Sequence, residues 1–215
     1  MKKTILFLTF VLGLVCTTSV IHSQGVKKSK VLMVVREGKS LVDLELMLNN
    51  EVGVMTDLVN KAGFELKVAS PSGQPIVAGK KTLRPDLKLS EVKMAEYAGF
   101  IIPCVSLLDG FPDNFVPLIR DAVAKGKPVA AQTGGVFALA KAGILSGKKY
   151  AGLKVPDKKT YPQFQDAIYG GSGIVQDRRL ITSAVCPMTA KETGLPDGTT
   201  LLMEAFLAEL RKTSR

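Results

Sequence analysis

Short apolar runs alternate along the chain with longer segments in which apolar residues recur at helical spacing. Uninterrupted apolar runs are typical of parallel strands that are buried on both faces. The runs predict strands at residues 31–35, 66–69, 99–103, 128–131, 173–175 and 180–183. The longer segments predict a helix that ends at Ala62, with Gly63 as its cap, and helices at residues 114–125, 136–142 and 199–212. Residues 76–89 are predicted to be irregular. The alternation indicates an α/β domain with a mostly parallel sheet and helices on both sides.

The N-terminus has the layout of a secretory signal peptide. Lys2 and Lys3 precede an apolar run at residues 5–15, and a polar stretch with small residues follows as far as Ser23. The run is shorter than the roughly 20 apolar residues that a membrane anchor needs. We therefore expect cleavage after about residue 23 and a periplasmic or secreted protein without a stable membrane anchor.

The domain organisation follows from this reading. We expect a signal peptide at residues 1–23, a short linker at residues 24–29 and a single domain at residues 30–215. Lipidation at Cys16 is the weaker alternative, because Val15 is bulkier than the small residue expected before a lipidated cysteine.

The composition limits which reactive side chains the exported domain contains and which kinds of partner its surface favours. The single histidine, His22, lies in the predicted signal peptide, so the mature domain keeps Cys104 and Cys186 but no imidazole. Loss of Lys2 and Lys3 lowers the formal charge from +10 to +8. The basic residues are dispersed and tryptophan is absent. This pattern favours a solvated basic surface over a nucleic-acid-binding face.

The segment around Thr133 carries the strongest functional signal. The predicted strand at residues 128–131 is followed by Gln132, Thr133 and the pair Gly134-Gly135, after which a helix begins. Small residues at such a junction permit a sharp turn that projects one side chain over the sheet, beside the amide groups of the helix. Ligands in parallel α/β sheets bind at this end of the strands.

Several segments in order resemble the ThiJ/PfpI family, the DJ-one-like branch of the class I glutamine-amidotransferase-like superfamily. They are the strand at residues 31–35, Glu51 ahead of Ala62-Gly63, Ile102-Pro103, Ala130-Ala131 before the turn, and residues 180–183. The resemblance covers roughly residues 30–212. It implies a flavodoxin-like three-layer sandwich with a mostly parallel central sheet, and often a homodimer. Members of the family include glyoxalases, proposed deglycases, peptidases, chaperones and redox-responsive proteins.

Three departures from the family pattern fall at one site. The family's glutamate corresponds to Glu51, but its nucleophilic cysteine corresponds to Thr133 and the residue after it to Gly134. The family's Pro-Gly-Gly loop, whose backbone helps to form an oxyanion hole, corresponds to Pro103, Cys104 and Val105. The acid is therefore present, whereas the nucleophile and the oxyanion loop are altered.

These departures leave the catalytic role of Thr133 open. A hydroxyl is far less acidic than a thiol and needs a neighbouring base, which without histidine would be a carboxylate such as Glu51 or a desolvated lysine. A β-branched residue also tolerates a positive φ poorly. The alternative is a hydroxyl that hydrogen-bonds Glu51 or a bound ligand. Glu51 itself has a second interpretation, as a surface residue near the beginning of a helix.

Cys104 and Cys186 each follow a predicted strand, so both are expected near the rim of the same pocket. Three interpretations stay open: a disulfide, a relocated reactive thiol beside Glu51, or two buried bystanders. We predict no metal site and no cofactor, because the mature domain would lack histidine and the sequence contains no Cys-x-x-Cys pair, Walker loop or dinucleotide fingerprint.

The sequence therefore supports three hypotheses about function. The first is an exported, non-hydrolytic protein that binds a small polar or carbonyl metabolite through Glu51, Thr133, Val105, Gly134, Gly135 and Cys186. The second is a glyoxalase-, deglycase- or amidase-like enzyme that uses Cys104 or Cys186 as its working thiol. The third is a stress-protective, chaperone-like dimer without a small-molecule site.

Overall fold

The central feature of the fold is a seven-stranded sheet. From one edge to the other its strands are β10 (Ile174–Asp177), β11 (Leu180–Ser183), β7 (Val129–Gln132), β6 (Gly99–Ile102), β1 (Lys30–Val34), β2 (Glu65–Ser70) and β5 (Leu87–Lys88). A computed structural model describes residues 28–37, 43–104 and 114–213. Every neighbouring pair in this sheet is parallel except β10 and β11, which form an antiparallel hairpin at one edge. Two further two-stranded sheets pair β3 with β4 and β8 with β9. The strands of these two sheets are β3 Ile76–Ala78, β4 Lys81–Leu83, β8 Lys149–Tyr150 and β9 Ile168–Tyr169.

Helices cover both faces of the sheet. The α-helices are α1 Leu44–Met47, α2 Val54–Lys61, α3 Phe115–Ala124, α4 Gly134–Lys141, α5 Pro187–Thr193 and α6 Thr199–Thr213, and a π-helical segment at Leu48–Gly53 joins α1 to α2. Val31 and Met33 of β1 belong to one core with α2 and α6. Leu32 and Val34, which point to the opposite face, belong to a second core with α3 and α4. The prediction of a three-layer sandwich with a mostly parallel sheet is confirmed.

Some short elements differ from the sequence-based expectation. The region predicted to be irregular contains β3, β4 and β5, and α5 follows β11 where no helix is predicted. Strands of two or three residues are too short to show a period in the hydrophobic pattern. The helix α5 begins with Pro187, a residue that is favoured at the first helical position but is also common in loops.

The register of three neighbouring strands places their carboxyl ends side by side. Ile102 of β6 pairs with Ala131 of β7, and Gln132 of β7 pairs with Ser183 of β11. We call the sharp turn at Thr133, between β7 and α4, the elbow. It is flanked by the segments that follow β6 and β11, which carry Cys104 and Cys186. This arrangement positions the candidate site.

The predicted signal peptide, including Cys16 and His22, lies outside the described residues, as does Val105. Within residues 28–37, 43–104 and 114–213, none of the helices combines the length and apolar character that a membrane crossing requires.

We predict that Gly135→Ala destabilises the domain by about 2–3 kcal/mol, because overpacking forces backbone to move. A Cβ at this position would lie 2.1 Å from the carbonyl oxygen of Ile102. Gly173→Ala is the matched control, since a Cβ there meets nothing within 4 Å. Urea denaturation of both variants measures the difference. Equal stabilities would contradict the close approach of α4 to β6.

Candidate functional site

A strained turn at Thr133 connects β7 to α4. Thr133 has φ 40° and ψ −96°, a backbone conformation that β-branched residues rarely adopt. Its amide donates to the carbonyl of Ser183 at 2.8 Å, and its carbonyl accepts from the amide of Val136 at 3.0 Å. The turn is thus held between the β11 ladder and the first turn of α4. Strain at such positions costs about 1–3 kcal/mol and persists where the surroundings impose it.

The hydroxyl of Thr133 donates a hydrogen bond to the carbonyl oxygen of Ala184 at 3.0 Å. A peptide carbonyl does not take up a proton at neutral pH, so this partner cannot serve as the general base that a threonine nucleophile needs. The observed geometry orients the hydroxyl without activating it. It favours the interpretation of Thr133 as a hydrogen-bonding residue.

Glu51 is completely buried in the π-helical segment between α1 and α2. Its Oε1 accepts the backbone amide of Cys104 at 2.6 Å. The interpretation of Glu51 as a surface residue is therefore wrong. The helical segment begins at Leu44, well before Glu51, and the Glu51 side chain points towards the ends of the strands. Local π-helical geometry is frequent at functional sites, and here it places the carboxylate on the loop that follows β6.

Cys104 and Cys186 meet above the end of β7. Their relative exposures are 7% and 0%, and both are free thiols in the same hydrophobic core. The thiols share a hydrogen bond, and the amide of Gly134 also donates to Cys104. On the other side, Cys186 Sγ lies 3.3 Å from the hydroxyl of Thr189. The structure thus brings Cys104 and Cys186 to the elbow without a disulfide between them.

The shared hydrogen bond polarises the two thiols in opposite directions. It is the main cause that lowers the pKa of Cys186 to about 6, with hydrogen bonds from the hydroxyl and the amide of Thr189 as further causes and burial acting against them. The same hydrogen bond, burial and the nearby Glu51 charge raise the pKa of Cys104 well above its usual value. Cys104 is therefore the proton donor of the pair, and Cys186 is the thiol that ionises first.

A cavity of about 190 Å³ opens beside Thr133. Its walls are mostly apolar and include four aromatic side chains. The Phe137 ring packs edge-to-face on Phe164 and on Tyr161, with ring-centroid distances of 5.2 Å and 5.5 Å. The lining residues are Thr133, Val136, Phe137, Tyr150, Ala151, Gly152, Leu153, Lys154, Pro156, Tyr161, Phe164 and Ala184. The aromatic residues were not predicted from the sequence, because they are spread over α4 and the segments that follow it and do not recur at a regular spacing. The pair Tyr161 and Phe164, two aromatic residues three positions apart, is the signal that could have indicated them.

A larger cavity of about 340 Å³ lies at the opposite end of β7, beside Gly126 and Arg179. It borders the amino ends of β7 and β11, whereas ligands of parallel α/β sheets bind beyond the carboxyl ends. We therefore assign the candidate site to the smaller cavity at Thr133.

The residues predicted to bind a ligand do not all lie at the cavity. Gly135 packs against the carbonyl of Ile102, and Gly134 directs its amide to Cys104, so both glycines shape the elbow. Cys186 is buried beneath Thr133, and Val105 falls outside the described residues. Among the residues that the structure describes, histidine, cysteine and acidic side chains form no group of three that could hold a metal ion.

We predict that Glu51→Ala destabilises the domain by about 2–4 kcal/mol, because it removes the acceptor of the buried Cys104 amide and leaves a cavity. Glu51→Gln keeps an acceptor oxygen and should cost less than half as much. Glu204→Ala, at an exposed position of α6, is the control and should change the free energy of unfolding by less than about 0.5 kcal/mol. Urea denaturation would refute this role of Glu51 if all three variants were equally stable.

We predict that Cys186 ionises at a pH of about 6 and that Cys104→Ala raises this pKa towards the ordinary thiol value. The direction follows because the alanine variant removes the largest favourable hydrogen bond to the thiolate. Cys104→Ser, which keeps a donor, should shift the pKa less. The ultraviolet absorbance of the thiolate, followed against pH in each variant, measures the midpoint. An unchanged midpoint in Cys104→Ala would show that the thiols do not interact.

Comparison with known proteins identifies the family. The DJ-1/PfpI family model matches residues 30–192. An uncharacterized protein of Archaeoglobus fulgidus is 32% identical over 130 residues, which span 58% of this chain and 75% of the relative.

Solved structures show the same fold. A ThiJ/PfpI domain protein from Brachyspira murdochii has a TM-score of 0.64 at 20% identity, over 86% of this chain and 98% of its own. The DJ-1 superfamily protein Atu0886 from Agrobacterium tumefaciens has a TM-score of 0.61 at 20% identity, over 87% and 100%. Drosophila melanogaster DJ-1beta has a TM-score of 0.56 at 21% identity, over 87% and 96%. On the family match and the shared fold, this chain belongs to the DJ-1/PfpI family.

Proposed function

We propose that this chain is an exported DJ-1/PfpI domain protein that binds a small polar or carbonyl metabolite beside Thr133 without hydrolysing it. One observation carries the proposal. Thr133, which the resemblance aligns with the family's reactive cysteine, borders a cavity, while its hydroxyl proton is donated to the carbonyl of Ala184. The site keeps a place for a ligand and lacks an activated hydroxyl.

The size and lining of the cavity indicate the kind of ligand. A volume of about 190 Å³ is below that of pockets for drug-sized molecules, which suits a small metabolite. Tyr150 and Phe164 are almost completely buried and can cover the apolar part of such a molecule. A carbonyl oxygen could accept from the Thr133 hydroxyl once that hydroxyl rotates away from Ala184. Lys154 at the exposed edge could pair with a carboxylate.

Binding is tested by thermal denaturation and calorimetry with small aldehydes, carboxylates and amides as the probes. A probe at about 100 times its Kd should stabilise the domain by about 2.7 kcal/mol. Thr133→Val and Phe137→Ala should each weaken that binding by about tenfold, through loss of the hydroxyl donor and of an aromatic wall.

Val77→Ala is the matched control, because Val77 is 66% exposed on β3 and outside the lining of the cavity. Its affinity should equal that of the wild type. Each probe is also recovered after incubation and analysed for chemical change. Turnover of a probe, or the absence of any response across the three classes, would refute the proposal.

Export rests on the layout of residues 1–23. We expect the mature protein, expressed with its own N-terminus in a bacterium, to be recovered from the periplasm or medium. Its N-terminal peptide, determined by mass spectrometry, should begin within a few residues of position 24. Recovery of the uncleaved chain from the cytoplasm would refute export.

A further inference from the structure

Two buried thiols meet at the elbow, and the proposed ligand site does not use their chemistry. We propose that Cys104 and Cys186 are a hydroperoxide-reactive dithiol, in which Cys186 is oxidised first and Cys104 then closes a reversible disulfide.

The strand order brings the two cysteines together although they are 82 positions apart in the chain. β6 and β11 lie on either side of β7, and β7 stops at Gln132, before the sharp turn at Thr133. The segments beyond β6 and β11 can therefore meet over the end of β7. Both side chains belong to one hydrophobic core, and each thiol shifts the pKa of the other, so the two sulfurs are neighbours.

The groups around the two thiols assign them different roles. Cys186 receives hydrogen bonds from Cys104 and from the hydroxyl and amide of Thr189, all of which favour its thiolate. Cys104 faces the buried Glu51 carboxylate, whose charge disfavours a second anion. A thiolate is the nucleophile in thiol oxidation, so the arrangement selects Cys186 for the first step and Cys104 as proton donor.

The route to Cys186 restricts the size of the oxidant. Thr133 and Ala184 line the cavity, and the Thr133 hydroxyl also contacts the Cys186 thiol from the inner side. Cys186 itself has 0% exposure. A small hydroperoxide can reach the sulfur when the Thr133 side chain rotates, whereas bulky disulfides and alkylating reagents are held outside. The inner position of the pair therefore favours hydroperoxides over larger oxidants.

The reaction balances with a hydroperoxide as the named oxidant. The Cys186 thiolate attacks the terminal oxygen, an S–O bond forms, the O–O bond breaks, and the departing alkoxide or hydroxide takes the Cys104 proton. The Cys104 thiolate then attacks the Cys186 sulfur of the sulfenic acid, forming the S–S bond and releasing hydroxide, which solvent protonates to water. Two thiols and one hydroperoxide give one disulfide, one alcohol or water, and one further water.

The test uses the full mature chain, first reduced and desalted, and then treated with hydrogen peroxide. The wild type should lose two hydrogen atoms by intact mass and yield a linked peptide pair that contains Cys104 and Cys186. A dithiol reductant, added under denaturing conditions so that it reaches the buried bond, should reverse both changes. In Cys104→Ser the reaction should stop at a sulfenic acid on Cys186, which dimedone traps when the oxidised protein is unfolded in its presence.

Cys186→Ser should consume hydrogen peroxide at least about tenfold more slowly than the wild type, because the low-pKa thiol is gone. Thermal denaturation of both serine variants checks that they fold. If either does not, the time course of the wild type decides, since a Cys186 sulfenic acid must appear before the disulfide. Oxidation of both thiols without a linked peptide, first oxidation at Cys104, or an unchanged rate in folded Cys186→Ser would overturn the proposal.

Discussion

The close approach of α4 to β6 at Gly135 is the constraint on which the site depends. Only hydrogen fits between this Cα and the carbonyl oxygen of Ile102, since a Cβ would lie 2.1 Å from that oxygen. The approach seats α4 directly on the end of the sheet, so the chain must turn sharply between Gln132 and Gly134. Thr133 absorbs that turn in a conformation that its side chain disfavours. The sharp turn at Thr133 is thus a consequence of this close approach.

The polar groups at this elbow form a continuous buried series. The Glu51 carboxylate holds the amide of Cys104, the two thiols share a hydrogen bond, and the Thr133 hydroxyl lies between Cys186 and the cavity. Buried polar groups of this kind stabilise the fold only when each is satisfied, so a change at one member alters its neighbours. The low pKa of Cys186 and the high pKa of Cys104 are two consequences of the same hydrogen bond. A single side chain, that of Thr133, therefore separates the proposed ligand site from the proposed dithiol.

Much of the fold could be predicted from the sequence, because buried parallel strands leave uninterrupted apolar runs and helix ends leave glycines such as Gly63. The elbow at Thr133 was predictable for the same reason, since a strand, two glycines and a helix follow one another. The contacts of the site were not predictable. The hydrogen bond between Cys104 and Cys186 depends on the conformations of the two loops that follow β6 and β11. The burial of Glu51 depends on the direction in which the π-helical segment points its side chain. The aromatic walls come from Tyr150, Phe164 and other positions that share no sequence pattern.

Thr133 is proposed to border a site that binds a ligand without converting it. The most direct measurement is an NMR titration of the protein with methyl-labelled threonine, using the small carbonyl or carboxylate probe that gives the largest thermal shift. The account predicts that the Thr133 methyl signal, assigned through Thr133→Val, shifts and saturates while exposed threonines stay unchanged and the probe is recovered intact. A probe that is consumed, or a Thr133 signal that does not respond while the probe binds, would contradict it.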